Sequence, residues 1–150
     1  MDLIDLLRRP EGKTLEYKRD LSSPEGVLRT IVAFANTAGG VVLLGVEDRT
    51  RKVTGIPDVL DTEERLANLV ADSIRPHLVP NIEIVPWRKT HLLAIEVYPS
   101  SSRPHHLERF GPEKGVFVRL GSTNRRADTS QIRSADTRKR DLSMNNHCRI

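Results

Sequence analysis

The 150-residue chain holds one cysteine, three phenylalanines, two tyrosines and one tryptophan. With Cys148 alone, no internal disulfide can form. It stands in the polar tail MNNHCRI beside His147, and two ligand types without partners at zinc spacing do not make a metal set. Aromatic residues at 4% leave little from which to build a stacking platform for single-stranded bases. No apolar run approaches the roughly 20 residues of a bilayer span, so a soluble protein without membrane contact is expected. The opening MDLIDLLRRPEG has acids inside a short apolar stripe and no small-residue cleavage site, unlike a signal peptide, and makes the cytoplasm the expected location. The sequence also lacks G-x-x-x-x-G-K-[ST] for cradling phosphates and G-x-S-x-G for a nucleophile elbow.

What is present fits one domain with a real core: 37% hydrophobic and 29% charged residues exclude the disordered and membrane classes. The net charge is +4, but its distribution matters more. Residues 1–124 carry 17 basic and 17 acidic groups, whereas residues 125–150 carry 7 and 3. A balanced body must meet a polyanion with a local patch, not with its overall field.

Hydrophobic periodicity organises the chain. Leu3, Ile4, Leu6 and Leu7 have helical spacing over 2–8, stopped by Pro10 and Gly12. TLEYK at 14–18 alternates as a half-buried strand. Ser22 with Glu25 reads as a capping box and Pro24 as a first-turn residue, opening a helix over 24–38 that Gly39 or Gly40 closes with positive φ. VVLLGV at 41–46 is short, β-branched and apolar on both faces, as in a central strand. A second capping box, Asp61 with Glu64, opens a helix over 62–75. NIEIVPW at 81–87 and HLLAIEVYP at 91–99 are close enough for a hairpin. GVFVRLG at 115–121 is the last clear strand, with HHLERF before it a weaker one. A short helix and a solvated tail are expected after Ala127, and no internal repeat or second domain is visible. The architecture expected is α/β (α+β): one mixed sheet with two main helices packed against it and the first helix near an edge.

The blocks LEYKRD, FANTAGGVVLLGVED, IRPHLVPNIEI, SSSRPHHL and VFVRLGSTNRRAD, in this order, resemble the Schlafen AlbA-type domain. This nucleic-acid-binding module is found in bacterial and archaeal regulators, often labelled RecG-like ATP-dependent helicases, and in animal Schlafen proteins. The likeness covers roughly residues 3–133; the division expected is a binding domain over 1–133 and a basic tail over 134–150. It implies a DNA- or RNA-binding domain from a transcriptional regulator. An ATP-binding module of a RecG-like protein is a further alternative, without support from a P-loop.

Three constellations carry candidate chemistry. In ribonuclease members of the family, two glutamates flank the first strand and an aspartate follows the central one; Glu11, Glu16 and Asp48 resemble those positions. The resemblance implies a metal-dependent endoribonuclease in which converging carboxylates hold Mg²⁺ or Mn²⁺ to activate a water. Residues five apart on an unbroken strand face opposite sides, so Gly12 must bend the chain before Glu11 can turn toward Glu16. Without the resemblance, Glu11 is a loop acid, Glu16 a strand residue paired with Lys18 or Arg19, and Asp48 a turn former.

The basic set comprises Lys18 and Arg19 after the first strand, with Arg119, Ser122, Thr123, Asn124, Arg125 and Arg126 around the last. Short donors and guanidinium forks on a glycine turn suit phosphate contact, although the same text can be a solvated turn capping a helix. The histidines His77, His91, His105 and His106 lack the i, i+4 pairing of a zinc hydrolase, and only His105 and His106 lie where a phosphate contact is conceivable. Asn36 and Thr37 resemble family text, yet a structural role tying down helix carbonyls is favoured. Exposed strand edges allow a homodimer.

Overall fold

The computed structural model describes residues 2–128. The tail with His147 and Cys148, the short helix expected after Ala127 and the 134–150 segment lie outside the described residues. The elements are α1 (Leu3–Arg8), β1 (Leu15–Lys18), α2 (Pro24–Asn36), β2 (Gly40–Leu44), α3 (Val59–Ser73), β3 (Ile74–Arg75), β4 (Asn81–Trp87), β5 (Thr90–Val97), β6 (His106–Leu107), a 3-10 turn (Glu108–Phe110), α4 (Gly111–Lys114), β7 (Phe117–Leu120) and β8 (Thr123–Arg126).

Four strands form a mixed sheet in the order β1-β2-β5-β4, with β1 and β2 parallel and the other neighbours antiparallel. The apolar run of β2 therefore lies inside the sheet, as its sequence predicts. Alternation sends Val42, Leu44, Leu93 and Ile95 to one face, where they meet Ile31, Phe34 and Ala35 of α2 and Leu66 and Val70 of α3. Leu15, Tyr17, Leu43, Leu92 and Ala94 face the other side, where Leu3 and Leu6 of α1 cover them. The Tyr17 ring is fully buried, and its hydroxyl points at the carbonyls of Leu6 and Arg9, fixing α1 to β1.

Two small antiparallel ribbons flank this sheet: β3 with β6, and β7 with β8. The strand expected over 115–121 thus belongs to its own hairpin, and the run TNRR, a polar turn by its sequence, is its partner strand. The β7–β8 ribbon leans on α2 through Asn36, whose Nδ2 donates to the carbonyls of Phe117 and His105, both at 2.9 Å, while its Oδ1 accepts from His105 N–H at 2.7 Å. Thr37 Oγ1 donates to the Ala33 carbonyl at 2.7 Å, so both residues have the structural role expected of them. Gly39 makes the hinge: its φ is 76°, its N–H reaches the Phe34 carbonyl, and a Cβ there would stand 2.6 Å from the Val97 oxygen.

Neither capping box forms. Ser23, not Ser22, caps α2 and makes no side-chain cap bond; the Glu25 carboxylate is held by Arg29 and Arg109, each at 3.0 Å. Asp58 precedes α3, which begins two residues before Asp61. In both cases ion pairs or chain geometry outweigh the local capping pattern. Among the described residues no helix is long and apolar enough to cross a membrane.

Candidate nucleic-acid interface

β1 is an edge strand. The carbonyls of Thr14 and Lys18 accept from Val41 and Gly45, so the backbone groups of Leu15 and Tyr17 point away from the sheet. That outer edge is occupied: Gly12 N–H donates to the Leu15 carbonyl at 3.0 Å, and the Glu11 carboxylate accepts from Tyr17 N–H at 3.3 Å. Gly12 does bend the chain back, and the bend lets Glu11 cap a strand edge.

Glu16 and Lys18 face α2, opposite to Leu15 and Tyr17. Glu16 is 7% exposed and is enclosed by partners from three elements. Arg119 Nη1 donates to it at 3.2 Å, Thr30 Oγ1 forms a short bond to it, and Lys18 Nζ stands 3.9 Å away. Asn124 Nδ2 donates to Thr30 Oγ1 at 2.8 Å, and Asn124 Oδ1 accepts from Arg119 Nη1 at 2.9 Å. The last hairpin and the first strand thus converge on one carboxylate.

Arg119 requires a correction. Its side chain is fully buried, and its five N–H donors have five bonds: Nε and Nη2 to the Gly12 carbonyl at 3.1 and 2.9 Å, Nη2 to Leu15 at 3.3 Å, and Nη1 to Glu16 and Asn124. The guanidinium also lies 5.0 Å from the Phe34 ring centroid. A group with no spare donor and no exposure cannot contact phosphate; Arg119 joins β7 to the β1 edge.

Of the three carboxylates expected to hold a metal, Glu11 and Glu16 are engaged otherwise. Burial, then the fields of Glu16 and Asp48, raise the Glu11 pKa above its ordinary value, opposed by the Tyr17 N–H bond. Glu11 thus lies within reach of the charges of the other two carboxylates. Yet Glu16 already has Arg119 on one oxygen and Thr30 and Lys18 on the other, Glu11 holds a strand N–H, and Asp48 is exposed. Among the described residues no group of three His, Cys, Asp or Glu could hold a metal ion. The donor set does not fit Mg²⁺ or Mn²⁺.

The other basic-set residues are accessible. Arg19, Ser122, Thr123, Arg125 and Arg126 are exposed, and Lys18 and Asn124 are half-buried. Opposed pairs Arg119–Asn124 and Phe117–Arg126 give β8 its alternation: Asn124 points into the network, Thr123 and Arg125 point the other way. Arg126 lies 5.1 Å from the Phe110 centroid and 5.9 Å from that of Phe117. Arg29 and Arg109 stand over Phe110 as well, at 5.6 and 5.3 Å. Sequence reading missed Arg29, Arg109 and Phe110; the spacing of Glu25 and Arg29, i and i+4, was the available sign.

Among the histidines, His105 is 1% exposed, its Nδ1 2.9 Å from the Pro76 carbonyl and its Nε2 2.6 Å from Ser100 Oγ. It is an internal tie and does not meet phosphate. His106 opposes Arg75 in the small ribbon and burial lowers its pKa, while His77 and His91 are exposed.

The family model described as Schlafen, AlbA_2 matches residues 11–128. The chain belongs to the Schlafen AlbA_2 family. A solution structure similar to this Schlafen AlbA_2 chain is the N-terminal domain of a RecG-related ATP-dependent DNA helicase protein from Nitrosomonas europaea. It is 27% identical with a TM-score of 0.62, over 82% of this chain and 91% of that one. A protein from Corynebacterium diphtheriae shares the fold at 18% identity and a TM-score of 0.63; 83% of this chain matches there, spanning only 24% of that protein.

Proposed function

We propose that this Schlafen AlbA_2 domain binds nucleic acid through its phosphate backbone, using the surface where the end of β1 meets the β7–β8 hairpin. Lys18 and Arg19 supply one side, and Ser122, Thr123, Asn124, Arg125 and Arg126 the other. The observation carrying this reading is the meeting of Lys18 and the hairpin at Glu16, since it joins cations over 100 residues apart in sequence into a single patch. Arg119 and Glu16 hold the two halves together from inside. Backbone readout follows from side-chain type: forks and hydroxyls engage phosphate oxygens, and none of the patch residues is aromatic. A role in a transcriptional regulator, or beside a helicase as in the Nitrosomonas relative, is compatible with such a module.

Titration with duplex DNA, structured RNA and ATP at two salt concentrations tests it. Nucleic acid should bind with an affinity falling steeply as salt rises, and ATP should not compete. ATP binding without nucleic-acid binding would replace this reading with a nucleotide module. Cleavage of structured RNA with Mn²⁺ by the wild type but not by Glu16→Ala would restore the nuclease alternative that the carboxylate geometry disfavours.

A further inference from the structure

Adjoining the patch and sharing Arg126 with it, Arg29, Arg109 and Arg126 form a cationic cluster. All three guanidinium carbons lie 5.1–5.6 Å from the centroid of Phe110, and Arg29 and Arg126 also stand over Phe117, at 5.1 and 5.9 Å. Three helical or hairpin segments therefore present their charges to one small volume. The carboxylate of Glu25 is shared, Oε2 with Arg29 and Oε1 with Arg109, both at 3.0 Å. Three guanidiniums against one carboxylate leave an excess of two positive charges. Arg29 Nε, buried, has no hydrogen-bond partner. The rings hold the three guanidiniums close together by cation–π attraction, and Arg109 and Arg126 are exposed.

Arg109 and Glu25 also border a cavity of about 440 Å³, whose lining includes Leu28 and Leu107 and the acids Asp72 and Glu108. Glu108 is paired with Arg75 at 3.2 Å, and Asp72 has no ion pair among the described residues. A phosphodiester chain running over the cluster would meet these acids next.

We propose that the Arg29–Arg109–Arg126 cluster receives the terminal phosphate monoester of a nucleic-acid strand. This rests on the binding reading above. An internal phosphodiester carries one negative charge, whereas a phosphate monoester carries about −1.5 to −2 near pH 7 and offers three oxygens to guanidinium forks. The excess of two charges matches the monoester. The acidic lining beside Arg109 gives the strand a place to stop.

Binding of fluorescent 12-nucleotide single strands of one sequence tests this: one with a 5′-phosphate, one with a 3′-phosphate and one with hydroxyls at both ends. The wild type should prefer one phosphorylated end about tenfold over the hydroxyl form, as expected for added charge-assisted bonds. Arg126→Gln, at an exposed site, should reduce that ratio to about twofold or less, and Arg29→Gln should do the same, with circular dichroism reporting the fold. Arg125→Gln should weaken all three ligands while keeping the ratio. Equal affinity for the three strands, or a ratio unchanged by Arg126→Gln, overturns the end site while leaving backbone binding intact. Absence of binding by every strand overturns the end site, and the duplex DNA and structured RNA titrations then decide backbone binding separately.

Discussion

Two arginine–glutamate groupings lie within one helix of each other and act in opposite ways. At Thr30, the pair Glu16–Arg119 is closed to solvent, with every donor of Arg119 bonded. One turn earlier, Glu25 is 42% exposed on its side chain and holds Arg29 and Arg109, 35% and 77% exposed. The residue types are the same; burial decides the role. A desolvated pair is costly to break and has no capacity for a ligand, whereas an exposed one contributes little to stability and keeps its charge for a polyanion.

The strongest way to break this comparison is Arg119→Ala. It removes the guanidinium from a buried carboxylate and leaves the Gly12 carbonyl without its donors, so a loss of about 3–5 kcal/mol in urea unfolding is expected, with much of it recovered by adding Glu16→Gln. A loss below about 1 kcal/mol would put Arg119 in the same class as the exposed arginines. Asn36→Ala comes next: it unpairs the His105 N–H and the carbonyls of His105 and Phe117, and should cost about 2–4 kcal/mol by the same measurement. Arg125→Ala should leave stability within about 0.5 kcal/mol of wild type. It should weaken nucleic-acid binding evenly across sequences and reduce the salt slope by about 1, and a loss confined to one sequence would contradict backbone readout.

Glu11→Gln is the smallest and sharpens the pH side of the contrast. Because the folded protein holds the Glu11 proton above the ordinary value near 4.5, it binds more protons than the unfolded chain there, and its stability falls as pH rises through the raised pKa. The amide keeps an acceptor for Tyr17 N–H and removes that slope. Urea midpoints should therefore move in favour of the variant as pH rises from 4 to 7, and parallel curves for the two proteins would refute the assignment.

Much of the fold was legible because it rests on local periodicity. The alternation of Leu15 and Tyr17, the i, i+3, i+4 spacing from Val27 to Ala35, and the apolar run after Gly39 each have one physical solution. β8 was not legible, since TNRR has no apolar alternation and its pairing depends on Phe117 and Arg119 opposite it. Arg119 itself was misread for a related reason. A charged residue is placed outside by default, and only a carboxylate 103 positions away in the chain makes its burial favourable. The same long-range dependence hid Arg29 and Arg109, whose common ring comes from a 3-10 turn outside any periodic segment.

The hydrogen bonds that Gly12, Glu11 and Arg119 make along the outer side of β1 have a consequence for assembly. They cover the outer side of β1, whereas β4, the other edge strand of the main sheet, carries no such bonds among the described residues, and Pro86 removes a donor even there. Two copies joined margin to margin would use up that capacity at once. Pairing through β4 alone would close on itself as a twofold pair and would not extend the main sheet into a fibre.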